Sequence, residues 1–277
     1  MKLYSYRDPV GNFGDDLNLW LWPRLIPSIF DVDDGRLFLG IGTLLNHRVP
    51  TAPRKCVFGT GVGYGKTPGL DANLKIYCVR GPLSAKALDL PERFAITDPA
   101  LLVRKLPMPE GEPAPELSFM PHHRTMGSIP WPRYCRLAGV RLIDPRGPLL
   151  TILGSIRSSK FLVTESLHGA IVADALRVPW APIRVFPMVL DFKWEDWCAS
   201  MGVPYSPVDS AVLKAGNRFR SRVKGNLKAA LLVERLRRSA GSLPRMLSDE
   251  RDLERASERL DSCLDTFRVE QGFDRRS

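Results

Sequence analysis

Short apolar runs, each closed by glycine, proline or another turn former, recur through the N-terminal two thirds of the chain. Residues 2–6 open the series. Leu37-Phe38-Leu39 then runs into Gly40-Ile41-Gly42-Thr43, and Cys56-Val57-Phe58 into Gly59-Thr60-Gly61-Val62-Gly63. Residues 76–79 run into Arg80-Gly81-Pro82, and residues 94–96 into Thr97-Asp98-Pro99. Runs this short, rich in β-formers and bounded by turn chemistry, predict buried strands. Helical patterns lie between them. Asp15 or Asp16 can cap a helix over 17–22, just before Pro23, and the stretches 82–90 and 99–103 each start with proline at the first helical position. Strand–turn–helix units in series predict a parallel, doubly wound sheet.

A second series follows a proline-rich, polar stretch at 106–116 that reads as a linker. Its strands are 117–120, running into Pro121-His122-His123-Arg124, then 140–144, 161–163 and 183–186. Helices are predicted at 149–158, from Leu167 to just before Pro179, and from Lys193 to about Met201. The division is an α/β domain over 1–105, the linker, an α/β domain over 117–205, and a basic and charged helical tail over 206–277. In that tail, 213–240 interleaves basic with apolar residues. This pattern suits either docking on an anionic membrane or a helix with one packed face. A chain ending near residue 210 is then expected to stay folded. Ser248 to Arg268 reads as an exposed helix, and 271–277 as frayed.

Composition changes this picture little. The chain has 277 residues, 44% of them apolar and 25% charged, enough for a real core. The net charge is +10, with much of the excess after residue 212, and a basic excess favours anionic partners. Cys56, Cys78, Cys135, Cys198 and Cys263 are odd in number, scattered and never paired as CxxC. Neither a disulfide framework nor a metal site is expected, and reduced thiols fit the cytoplasm. The start has no signal-peptide pattern, and no run approaches the ~20 apolar residues of a membrane span.

Candidate chemistry gathers at the strand ends. His168 falls in the first turn of a buried helix that follows a buried strand. The free N–H groups of such a helix end favour an anion. Arg80 lies where a strand meets a turn, and its guanidinium can fork onto a carboxylate or phosphate. Gly11, Gly14 and the glycines around Gly61 read as clearance for a ligand close to the backbone. Gly59-x-Gly61-x-Gly63 is not the dinucleotide fingerprint, and Gly65-Lys66-Thr67 lacks the upstream glycine of a P-loop.

Seven motifs in one order carry a resemblance. They are Gly11-Asn-Phe-Gly-Asp15-Asp16-Leu, Gly40-Ile-Gly-Thr43-Leu-Leu, Val57-Phe-Gly-Thr-Gly61, Val79-Arg-Gly-Pro82-Leu, Thr97-Asp-Pro-Ala-Leu101, Met120-Pro-His122 and Thr164-Glu-Ser-Leu-His168-Gly-Ala. Over roughly residues 5–200 the chain resembles the polysaccharide pyruvyltransferase family, in its branch that adds ketal pyruvate to succinoglycan-type exopolysaccharide. The resemblance implies two Rossmann-like parallel-sheet domains in a GT-B-like arrangement, with phosphoenolpyruvate as co-substrate and no cofactor or metal. It maps the family's catalytic histidine onto His168 and its donor-binding arginine onto Arg80. Asp15 is the second catalytic candidate. Asn12, Gly61, Asp98, His122, Glu165, Ser166 and Lys193 complete the candidate site, with His122 and His123 competing to face the cleft.

Phosphoenolpyruvate carries a carboxylate and a phosphate, which calls for arginine forks and helix N-termini. Ketal formation protonates its methylene carbon and joins two sugar hydroxyls to C2, and histidine suits such proton steps. The acceptor is expected to be a lipid-linked oligosaccharide at the cytoplasmic face of the inner membrane. Nucleic acid is not an expected partner. The rival readings are a GT-B glycosyltransferase using a nucleotide sugar and a non-catalytic protein that binds membrane or polymer.

Overall fold

Parallel pairing organises the computed structural model, which describes residues 1–33, 35–67, 69, 72–127, 129–185, 190–209 and 219–272. The first sheet contains β1 (Lys2–Tyr4), β2 (Arg36–Leu39), β3 (Arg54–Phe58) and β4 (Leu74–Cys78), in the order β1-β2-β3-β4. The second contains β5 (Ser118–Met120), β6 (Arg141–Leu142), β7 (Leu162–Thr164), β8 (Trp180–Arg184) and β9 (Val208–Asp209), in the order β6-β5-β7-β8-β9. The predicted α/β class, with a parallel sheet in each half, is therefore the observed one.

The helices are α1 (Phe13–Leu25), α2 (Pro82–Ala87), α3 (Trp131–Ala138), α4 (Leu149–Arg157), α5 (Leu167–Ala175), α6 (Asp191–Ser200), α7 (Phe219–Ser239) and α8 (Glu250–Glu270). Among the described residues, no helix is long and apolar enough to cross a membrane.

Three local expectations change. α1 starts at Phe13 and runs through Pro23, so Asp15 and Asp16 lie in its first turn rather than before it. The run at 94–96 is not a strand. It makes a 3-10 turn (Glu92–Phe94), after which Ala95 forms a single bridge to Val79. Pro91 and Pro99 bracket it too closely for a ladder to extend. β8 begins at Trp180 rather than Ile183 and holds Pro182 in its interior, a residue that argues against a strand when read from sequence. Phe186, the predicted end of that strand, and residues 273–277 of the frayed end lie outside the described residues.

One buried apolar cluster spans both halves. It joins Trp22 and Phe38 of the first to Ile171, Trp180 and Trp197 of the second, with α1, α5 and α6 between the sheets. The tail is part of this structure. α7 turns Ala229, Leu232, Val233 and Leu236 onto the second sheet, beside α3, where Trp131 and Phe119 pack edge-on. α8 returns to the first half. Its Phe267 is fully buried edge-on against Phe38 and Tyr77, with ring centroids 5.3 and 5.2 Å apart. Arg104 pairs with Glu254, Lys105 with Asp261, and Arg268 donates to the Leu25 carbonyl. The expectation of an exposed helix over Ser248 to Arg268 is thus corrected. Leu253, Leu260 and Leu264 recur at helical spacing beneath the charged residues and form a buried face.

Candidate active site

Every strand of a parallel sheet points its carboxyl end at the same edge, and the loops there carry the chemistry. Here the two edges meet. The Phe13 N–H of α1 donates to the Pro145 carbonyl beyond β6 at 2.9 Å. His123 Nε2, beyond β5, lies 3.4 Å from Asp8 Oδ2, beyond β1. Leu190 and Phe192, at the start of α6, close on Gly63 of the first half, as does Thr43.

His168 stands at the centre of this seam. The Thr164 hydroxyl turns the chain by accepting from the Ser166 N–H at 2.9 Å, and Ser166 Oγ caps α5 by accepting from the Gly169 N–H at 3.3 Å. The next residue but one, His168, is thereby aimed across at the first half. Its Nε2 lies 3.5 Å from Asp98 Oδ2. Asp98 is wholly buried, and its other oxygen accepts from the Ala100 N–H at 3.0 Å, capping the 3-10 helix Pro99–Lys105. Asp98 Oδ2 therefore faces the imidazole edge, and neither it nor His168 Nε2 has a hydrogen-bond partner among the described residues. The opposite side of the ring, with Nδ1, packs on Gly14, where any Cβ would overlap it. Gly14, expected to admit a ligand, instead admits His168.

Asp15 follows in the same turn of α1. Burial raises its carboxyl from 3.8 to about 6, although His168, a hydrogen bond from Asn12 and Lys193 all pull it down. The Asn12 amide donates to Asp15 Oδ2 at 2.6 Å. A carboxylate in the first turn of a helix is normally favoured, but desolvation outweighs that here. Asn18, one turn on, holds the loop beneath. Its amide exchanges bonds with both the N–H and the carbonyl of Ile41, at 2.8 and 2.9 Å.

His122 and His123 stack with ring centroids 4.3 Å apart. Burial pushes His122 down to about 3, helped by the positive charges of His123, Lys193 and Arg124. His123 is lowered by burial, with Asp8 opposing. His122 is therefore neutral at pH 7. His123 reaches the first half through Asp8. Lys193, in the first turn of α6, acts electrostatically on Asp15, His122 and His123 together, which makes it the cation shared by the cluster.

Four expected substrate contacts have other partners. Arg80 is fully buried. Its Nε pairs with Asp196 Oδ2 at 3.0 Å, Nη1 donates to Thr43 Oγ1 at 2.9 Å, and Nη2 donates to the Val62 carbonyl at 2.9 Å. It ties α6 to the loops after β2 and β3 and holds the floor below Asp15. Gly61 lies against this guanidinium, where a Cβ would overlap Cζ, so its clearance serves Arg80. Glu165 is also fully buried. It accepts from the Val185 N–H at 2.6 Å and the His122 N–H at 3.0 Å, clamping the ends of β8 and β5. Ser166 is the cap described above.

Sequence reading missed Asp196 and Ser84. The Asp196 carboxylate also accepts from the Ser84 N–H at 2.9 Å and hydroxyl at 2.5 Å, capping α2 from another element. An acid set between Trp194 and Trp197, both on a buried face, was the available signal.

The Gly14–His168 contact thus makes the site a junction of two parallel-sheet halves, with proton-carrying groups and a lysine gathered at one seam. That is the layout of an α/β group-transfer enzyme. Residues 12–185, which hold Asn12, Asp15, Arg80, Asp98, His122, Glu165 and His168, match the family described as polysaccharide pyruvyl transferase. Over 211 residues the chain is 41% identical to the succinoglycan biosynthesis protein ExoV of Rhizobium meliloti (strain 1021), covering 75% of this chain and 67% of that protein. The chain belongs to the polysaccharide pyruvyl transferase family and is a polysaccharide pyruvyltransferase.

Proposed function

We propose that this enzyme moves pyruvate from phosphoenolpyruvate to two hydroxyls of one sugar in a lipid-linked exopolysaccharide repeat unit. It would act at the cytoplasmic face of the inner membrane. The observation that carries the reading is the setting of His168, with Asp98 at Nε2 and the turn holding Asp15 at its other side. Lys193 supplies positive charge for the donor's anionic groups. The two facing parallel sheets and the return of α8 to the first half support a GT-B-like arrangement.

The proton steps close on these residues. Protonated His168 gives its proton to the methylene carbon, while ionised Asp15 takes one from the first sugar hydroxyl, whose oxygen bonds to C2. The C2–O bond to phosphate then breaks, and Asp15 passes its proton to the departing phosphate. The second hydroxyl attacks C2 and returns its proton to His168. The products are the ketal and inorganic phosphate, with both residues reset. Arg80, Glu165 and Ser166 hold the loops that present these groups.

The ExoV relative favours this reading over a nucleotide-sugar glycosyltransferase or a non-catalytic binding protein. The test is incubation with phosphoenolpyruvate and a glycan acceptor, read by mass spectrometry. A gain of about 70 Da, pyruvate less water, is expected for the wild type. His168→Ala should turn over about 100-fold more slowly or worse with its fold intact. A hexose-sized gain from UDP-sugars, or an unimpaired His168→Ala enzyme, would overturn the proposal.

A further inference from the structure

Three large apolar side chains stay exposed on two neighbouring helices that also carry a dense run of basic residues. Leu137 on α3 is 75% exposed, and Leu227 and Leu231 on α7 are 62% and 61% exposed. α3 and α7 pack against each other through their inner faces. Leu227 and Leu231 are one turn apart, so they share a stripe of α7, and the exposed Lys228 and Arg235 lie beside them. Arg133 and Arg136 are exposed on α3.

Charge follows the same two helices. Their sequences hold nine basic residues and one acidic one, Glu234, in a chain whose net charge is +10. α8 is the internal contrast. It has the same length as α7 and carries seven acidic against four basic residues, while its large apolar side chains are mostly buried.

We infer that the outer face of α3 and α7 is a docking surface for an anionic lipid bilayer. Leucines flanked by lysine and arginine suit the boundary between headgroups and acyl chains, where the apolar tips enter and the cations stay with the phosphates. A nucleic acid would use the cations and leave the leucines wet. A second copy of this face would set like charges against each other. The lower part of the expected basic segment, 213–218, lies outside the described residues and has no part in the inference. The inference is independent of the donor and of the catalytic assignments. Its test reads binding rather than turnover, so either proposal can fail alone.

The test is sedimentation of the full chain with vesicles of about 30% phosphatidylglycerol in phosphatidylcholine. Binding is expected at low salt and should weaken as NaCl rises from about 50 to 500 mM. It should be absent on pure phosphatidylcholine. Leu227→Gln combined with Leu231→Gln should lower vesicle affinity about tenfold, and so should Lys228→Glu combined with Arg235→Glu. Because these side chains are exposed, melting curves of both variants should match the wild type. Hydrogen exchange of the unaltered protein provides a second reading, with added protection on vesicles falling in α3 and α7. Absence of wild-type binding, wild-type affinity in the leucine variant, or protection in other elements overturns the inference. So does a wild-type dimer that the leucine substitutions dissociate, since that would make the partner another copy of the chain.

Discussion

Asp15 shows how one residue can trade stability for chemistry. Burial holds its folded-state value near 6, above the 3.8 of an unfolded carboxyl. Its contribution to stability is therefore complete below about pH 4 and is lost as pH rises through about 6. Asp15→Asn removes that loss. At pH 7 the variant should be more stable by about 1–3 kcal/mol, while at pH 3.5 the two proteins should unfold alike. The same shift makes the ionised form, the one that accepts a proton, grow in as pH rises through about 6. The rate of the wild type should show an acidic limb there. In Asp15→Asn that limb should vanish, together with about 100-fold in turnover. Denaturant melts and pH–rate profiles check both parts. A variant that is less stable at pH 7 would show that burial of this carboxyl is not the dominant effect.

Among the elements, α6 bridges the two halves through a buried charge. It follows β8 of the second sheet, yet its Asp196 caps α2 and neutralises Arg80 in the first half. Gly81, at the start of α2, packs directly on the Asp196 backbone, where a Cβ would overlap it. Asp196→Ala would leave a buried guanidinium without its counter-ion and should destabilise the fold by about 3–5 kcal/mol. Arg80→Lys keeps the charge but cannot reach Asp196, Thr43 and Val62 together, so it should be destabilised in the same direction by less. Urea denaturation measures both. Unchanged stability in Asp196→Ala would mean that α6 and α2 are held by apolar packing alone.

At the scale of the whole molecule, the C-terminal helix covers the first sheet. Phe267 fills the space among Phe38, Phe58 and Tyr77, and Glu270 receives the Tyr77 hydroxyl at 2.6 Å and pairs with Lys75. The tail is therefore not dispensable, and a chain ending near residue 210 should fail to fold rather than remain active. Phe267→Ala tests this without truncation and should cost about 3–5 kcal/mol. Thermal unfolding measures the loss. A melt unchanged by Phe267→Ala would make α8 an appendage.

The linear pattern alone determined the strand–helix alternation, the parallel class, the turns at Gly40, Gly59 and Gly81, and the place of His168 beside a helix start. These depend on neighbours within a few residues, and the side-chain period records them. Pairings between distant segments left no such record. Gly14 and Gly61 were read as room for a ligand because a sequence shows that space is needed but not what fills it. Here it is filled by His168 and Arg80. Arg80 and Glu165 were read as substrate groups because a charged residue at a strand end looks the same whether it faces a cleft or a partner. Their partners are 116 and 43 or fewer residues away in sequence. Only the tertiary structure decided that these charges face inward, since a buried charge persists only where a counter-charge or hydrogen-bond partner meets it. It alone also set α8 on the first sheet, because the apolar stripe of a helix shows that the helix packs without showing on what.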